Sequence, residues 1–278
     1  MAFVKMQKAF QSNKKTCKHE VSGFTLVELL VVIAVIALLM AILLPALSKA
    51  REQGKRVVCL HNMTQLQISW GLYCENNNER LPGSNVGFSP ECPCGAKNCW
   101  IDWPCPTPSL SCNPTKQDWI DKSIKAGKLW KYVGEIKIYA CPVAPKDEMV
   151  TYTIVDSMNG WCQWNPSSVT LSQKVTIRNQ IKRPSERIVF LDETRPGAGS
   201  WGIYYAREQW ADPPPATRHG SGVSFSFVDG HADYLKYRDP LTKNVIFGDT
   251  ASCNQDLYWL QKAVWGRLGY TPACPPKF

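Results

Sequence analysis

From Leu29 to Leu44 the chain runs sixteen apolar residues without a polar interruption, and no other segment repeats this. Phe24–Glu28 before it and Pro45–Leu47 after it extend the stretch to about 36 Å as a helix, at about 1.5 Å per residue. That is enough to cross a hydrocarbon core of about 30 Å once, so a single-pass protein is the most the pattern supports. Beyond it, Leu60, Met63, Leu66, Trp70 and Tyr73 recur at steps of three and four, the spacing of one helix face. Asn76-Asn77-Asn78 stops that pattern, and Leu81-Pro82-Gly83 turns the chain. The expectation is one helix from about Phe24 to Cys74, roughly 75 Å long. Its first half is apolar all round and needs lipid or sister helices, whereas its second half needs a globular head over one face.

Past residue 83 the helical period is lost in a proline-rich stretch holding Cys92, Cys94, Cys99, Cys105 and Cys112. Ile136–Pro142 then reads as a short edge element, and Met149–Val155 and Arg187–Asp192 as strands. The Gly-, Pro- and Trp-rich residues 195–217 read as a surface loop. In 218–235, Val223, Phe225 and Phe227 alternate with serines, and Asp229-Gly230 is a strong hairpin turn. A two-residue loop would pair Val228 with His231, Phe227 with Ala232 and Phe225 with Tyr234. The aromatic face then meets the core, and Ser226 and Asp233 share the other face. Leu257, Leu260, Val264 and Leu268, flanked by Trp259 and Trp265, predict a closing helix that packs on the core. The fold class is α+β, a long N-terminal helix packed on an antiparallel β-sheet head.

Composition sharpens this picture. With 44% hydrophobic and 20% charged residues, the chain is neither disordered nor polytopic. Its net charge of +9 is unevenly placed: Lys5, Lys8, Lys14, Lys15 and Lys18 stand against Glu20 in the first 23 residues, which leaves +5 for the other 255. No basic stripe with interleaved aromatics follows, so nucleic acid is not an expected partner. Lys49, Arg51, Lys55 and Arg56 follow the apolar span, and the positive-inside rule nearly ties. The twelve cysteines break the tie, placing residues after about 50 on the oxidising, non-cytoplasmic side. In an exported segment the expectation for Cys92, Cys94, Cys99, Cys105, Cys112, Cys141 and Cys162 is disulfides. Zinc is the alternative, because Cys94-x4-Cys99 fits a ligand pair while the other spacings are irregular.

Two residues do not suit a plain anchor. Glu28 places a carboxylate inside the apolar stretch, which is costly unless a positive charge reaches it. Pro45 removes a backbone donor near the far end. The string Gly23-Phe24-Thr25-Leu26-Val27-Glu28-Leu29-Leu30, after a basic leader, resembles the processing site of type IV prepilins and type II secretion pseudopilins. That resemblance implies that a prepilin peptidase cuts between Gly23 and Phe24 and N-methylates Phe24. It also implies that Glu28 pairs with the new amine of a neighbouring subunit, and that the helix bends at Pro45. The implied partners are the peptidase, identical or related pilin-like subunits, and the bacterial inner membrane, with the head in the periplasm or outside the cell. A secretory signal cut near Ser48-Lys49-Ala50 and an uncleaved anchor are the ordinary alternatives. The expected division is a leader over 1–23, a membrane and assembly half-helix over 24–47, an amphipathic half over 48–78, and an exported head over 79–278. Within that head lie the Cys-rich insert 92–112 and the hairpin 219–235.

His219 and Asp229-Gly230 also resemble the H-x9-DG motif of a C-terminal domain found with prepilin-type starts. Cys59-Leu-His-Asn62, Cys141-Pro142 and Ile181–Ile188 with Asp192 resemble other parts of that family, while the Cys-rich insert departs from it. His219, Asp229, His231 and Asp233 offer imidazole and carboxylate groups for calcium or another divalent metal, although the hairpin alone accounts for Asp-Gly. No cofactor is required. No nucleophile elbow, His-Glu-x-x-His helix or phosphate loop points to an enzyme. The resulting expectation is a structural pilin-like subunit. An anchored extracytoplasmic module that binds glycan or metal without forming filaments is the alternative.

Overall fold

The computed structural model describes residues 24–85, 98–102, 117–145, 148, 150–160, 172–193, 200–215, 217–246 and 248–277. Gly23, Cys92, Cys94, Cys105, Cys112 and Cys162 lie outside the described residues. The chain divides into two compact units, Met1–Lys49 and Ala50–Phe278. Helix α1, Leu26–Asn76, runs continuously through Pro45. In the first unit every described side chain from Phe24 onward is exposed, including Leu26, Leu38 and Ile42. Among the described residues no protein group covers this apolar surface, and the helix is long and apolar enough to cross a membrane.

The second unit is built on a four-stranded antiparallel meander, β1 (Tyr152–Ile154), β2 (Ile188–Asp192), β3 (Gly222–Phe227) and β4 (Ala232–Lys236), in the order β1-β2-β3-β4. An α+β fold with a long N-terminal helix and an antiparallel sheet is what the patterning predicts. From residue 59 onward α1 buries Cys59, Met63, Leu66, Trp70, Tyr73 and Cys74, the expected stripe except that Leu60 is half-buried and two cysteines join it. Gln67 joins it to the sheet, donating to the Val228 carbonyl and accepting from Ser226 Oγ at 3.2 Å. The serine side of β3 therefore faces α1. The aromatic side faces helix α4 (Gln255–Trp265), where Phe225 meets Trp259 with ring centroids 5.1 Å apart. Both faces of β3 are buried, and the serines there are core-facing polar groups rather than a solvent face.

Register departs from the expected hairpin by one residue. Phe225 pairs with Asp233 and Ser226 with Ala232, and the Gly230 amide donates to the Phe227 carbonyl. The loop is Val228-Asp229-Gly230, three residues, with Gly230 at φ +106°. A turn closed by a glycine at positive φ inserts this extra residue, which shifts every pair.

Other expectations also give way. Ile136–Tyr139 is a 3₁₀ turn rather than an edge element, following α2 (Gln117–Ala126) and the short α3 (Trp130–Val133), which Gly134 ends at φ +67°. Residues 200–215 are irregular yet anchored in the core by Trp201, Ile203, Tyr205 and Trp210, so this segment is no surface loop. Its Gly and Pro content signalled irregular backbone, and its tryptophans signalled burial. Leu268 lies past α4, which Gly266 closes at φ +84° after Asn254 caps its start by accepting from the Leu257 amide. Arg187, buried behind β2, donates to the Val264 carbonyl at 2.8 Å and satisfies the end of that helix. A disulfide outside the expected set, Cys253–Cys274, closes the tail around α4. Trp100 and Ile101, near the middle of the Cys-rich insert 92–112, reach the core, where Trp100 stacks on Tyr139 and meets Phe190 edge-on.

The covered face of α1 is testable residue by residue. Leu66→Ala should cost about 2–5 kcal/mol, because Leu66 is fully buried. Ile68→Ala, two positions on and 48% exposed, should stay within about 0.5 kcal/mol. Urea unfolding of the detergent-solubilised chain, followed by tryptophan fluorescence, checks both.

Candidate functional site

Among the described residues, two places concentrate chemistry. At the start of α1, Thr25 and Glu28 satisfy each other. The Thr25 amide and hydroxyl both donate to Glu28 Oε2 at 2.8 Å, and the Glu28 amide donates to Thr25 Oγ1 at 3.2 Å. This is a capping box, in which the cap residue and the acid three positions on satisfy amides that have no helical partner. The Thr-x-x-Glu spacing before an apolar run is its sequence signature, so Glu28 is a helix cap here as well as an expected pairing residue. Every other group on this part of the helix is apolar, so Glu28 is the sole ionisable side chain from Phe24 to Ser48.

The second place is buried between α1 and the sheet. Cys59 comes from α1, Cys141 from the turn after the 3₁₀ segment, Asp192 from the end of β2, and His219 from the approach to β3. Their sulfur, nitrogen and carboxylate atoms all lie within 4.8 Å of one another, and all four residues are buried. Cys141 Sγ sits 3.1 Å from His219 Nε2, and His219 Nδ1 lies 3.2 Å from a carboxylate oxygen of Glu52. The Tyr152 hydroxyl donates to Cys59 Sγ at 3.3 Å, and Arg218 Nε donates to Asp192 Oδ1 at 3.1 Å. Arg218 also donates to Glu148 Oε2 and to the Glu193 carbonyl. Asp192 Oδ2 is buried and has no hydrogen-bond partner.

Environment shifts these groups strongly. The contact with Cys59 and then burial push the Cys141 thiol up, with His219 pulling against them. Burial holds the Asp192 carboxyl well above the usual carboxylate range, Cys141 adds to this, and Arg218 opposes it. For His219, burial favours the neutral ring, but Cys141 and Glu52 together outweigh it and the net direction is upward. A thiol, an imidazole and a carboxylate in line resemble a nucleophilic triad in outline only. A nucleophilic cysteine needs a lowered pKa and exposure, and Cys141 has neither.

Of the four residues expected to bind metal in the head, only His219 belongs to this cluster. Asp229 and His231 sit at the opposite end of the β3–β4 hairpin, where His231 Nδ1 and Asp229 Oδ1 pair at 2.5 Å on the surface. The Asp233 carboxylate accepts from the Tyr234 amide. The grouping of His219 with Asp229, His231 and Asp233 as one metal site is therefore not what the fold brings together. Cys141, expected in a disulfide, is a thiol, as are Cys59 and Cys74. Cys59, Cys141 and Asp192 entered the sequence reading only as separate landmarks. The nearest pair in sequence, Asp192 and His219, is still separated by a crossing between strands, so no local spacing joins the four.

Compared with known proteins, residues 19–44 match the family model described as the Prokaryotic N-terminal methylation motif. The match spans the leader's end, Phe24, Glu28 and the apolar run, and it supports a prepilin-type cleavage and methylation signal. No curated protein and no solved structure matches the chain.

The exposed end of the hairpin behaves as a turn in this geometry. Gly230→Ala should cost about 1–2 kcal/mol, because a side chain resists positive φ. Asp229→Ala should cost less than about 1 kcal/mol, the upper range for an exposed pair. Thermal unfolding of the two variants gives the ranking.

Proposed function

We propose that this chain is a pilin-like structural subunit, cleaved between Gly23 and Phe24 by a prepilin peptidase, N-methylated at Phe24, and drawn from the inner membrane into a filament. The observation that carries the reading is the sleeve of uncovered apolar side chains from Phe24 to Leu47 with one acid, Glu28, at its start. In a bilayer that surface is satisfied by lipid, and in a filament by sister helices. The match to the methylation motif supports processing at this sequence.

The mechanism is physical rather than catalytic. Cleavage removes the basic leader and creates an amine at Phe24. A carboxylate in an apolar bundle is stable when a cation reaches it, and the amine of a neighbouring copy supplies that cation. Glu28 is then shared between two tasks: it caps its own helix through Thr25, and it recognises the next subunit. Pro45 leaves the Ala41 carbonyl without its helical donor, which gives the helix a place to adjust as copies pack. The head carries the surface that differs from one filament to another. An oxidising compartment for the head fits the Cys253–Cys274 bridge.

Glu28→Gln and Glu28→Ala separate the two tasks. Glutamine keeps the geometry of the capping box and loses the charge, whereas alanine loses both. In cells that make the chain, both variants should still be cleaved and remain in the membrane, yet neither should enter sheared filaments. Normal incorporation of the Gln variant would leave Glu28 as a helix cap only. Absence of filaments from the unmutated chain would favour an anchored binding module.

A further inference from the structure

Four groups able to bind a metal meet under α1. Two thiols, an imidazole and a carboxylate share one small volume, and Asp192 Oδ2 is buried without any donor. A buried polar atom with no partner carries its full desolvation cost, and more so for a carboxylate. Something cationic at the centre would satisfy all four at once.

We propose that Cys59, Cys141, Asp192 and His219 hold a zinc ion that fastens α1 to the sheet of the head. The donor set argues for the metal. Two soft thiolates with an imidazole select zinc over calcium or magnesium, which take oxygen ligands. Four protein ligands fill a tetrahedral shell, so this is a closed structural site with no open position for substrate.

Bond lengths of about 2.0–2.3 Å place tetrahedral ligand atoms about 3.2–3.8 Å apart. The Cys141 Sγ to His219 Nε2 distance of 3.1 Å is already in that neighbourhood, and the whole set lies within 4.8 Å. Small side-chain rotations would close it.

The surroundings are those of a metal site. His219 presents Nε2 inward while Glu52 holds Nδ1 at 3.2 Å, the carboxylate–imidazole arrangement that orients a metal-binding histidine. Tyr152 donates to Cys59 Sγ, and Arg218 donates to Asp192 Oδ1, so the sulfur and carboxylate ligands are also held from behind. Binding displaces a proton from each thiol, and two thiolates with one carboxylate leave Zn²⁺ one negative charge in excess. Arg218, shared between Asp192 and Glu148, opposes part of that charge. The ligands come from four separate segments, so the ion ties the covered half of α1 to β2, to the approach to β3 and to the turn at Cys141. This site is distinct from the surface pair Asp229–His231, and it does not depend on filament assembly.

The test uses the full chain extracted in detergent from the membranes of the cells that make it. Alkylation after denaturation, read by peptide mass, reports whether Cys59 and Cys141 are thiols. Elemental analysis reports zinc, and replacement with cobalt(II) reports the ligands. The expected result is two unbridged thiols, about one zinc per chain, and a cobalt form showing a thiolate charge-transfer band with tetrahedral d–d bands. Cys141→Ser and His219→Ala should each weaken zinc binding by about tenfold or more, while Asp229→Ala should leave it unchanged. Where a variant fails to fold, slower alkylation of Cys59 and Cys141 in the metal-loaded than in the chelator-stripped unmutated chain assigns the metal to this site rather than to the cysteines of 92–112, and equal alkylation overturns the proposal. A Cys59–Cys141 disulfide in the extracted chain overturns the proposal. So do free thiols with neither bound zinc nor a cobalt–thiolate band.

Discussion

Cys59, Met63, Leu66, Trp70 and Cys74 of α1 have no measurable exposure, so the fold of the second unit is organised around covering one face of a helix. The meander supplies that cover with the serine side of β3, and this explains why a strand that reads as half solvent-facing is buried on both sides. Gln67 then has to be satisfied inside the interface, which Ser226 and the Val228 carbonyl do. On the far side of the sheet α4 repeats the arrangement, with Asn254 capping its start and Arg187 its end. Ahead of this, from Phe24 to Leu47, the same helix has no such cover. One element therefore carries two surfaces with different demands, the first met by lipid or other copies of the helix and the second by its own head.

What the sequence makes legible follows from periodicity and local chemistry. The membrane-length run, the stripe from Met63 to Tyr73, β2 and the α4 helix are all local patterns, and each stands where the pattern places it, save that α4 ends at Trp265, short of Leu268. The hairpin was legible in kind but not in register, because the choice between a two- and a three-residue loop rests on the backbone at Gly230. Residues 200–215 were misjudged because glycine and proline report backbone irregularity while Trp201 and Trp210 decide burial. Cysteine clustering drew attention to 92–112, whereas the disulfide among the described residues, Cys253–Cys274, spans the helix that lies between its partners.

The buried cluster was the least legible part. Cys59, Cys141, Asp192 and His219 are brought together only by tertiary structure, through a helix, a turn, a strand end and a loop. The sequence offers His219 as a metal ligand and Cys141 as a disulfide partner, and the metal partners expected for His219 lie at the other end of the hairpin. Thr25 and Glu28 are the opposite case, a short-range signature that was present in the sequence and carries a second meaning beside the processing motif.

The chain's identity as a processed subunit turns on its first residue. Intact mass and the N-terminal peptide of the protein taken from its own membranes measure that directly. A chain beginning at N-methylated Phe24, with the leader through Gly23 gone, is the predicted result. A chain that still begins at Met1, or one that begins after Ala50, would contradict it.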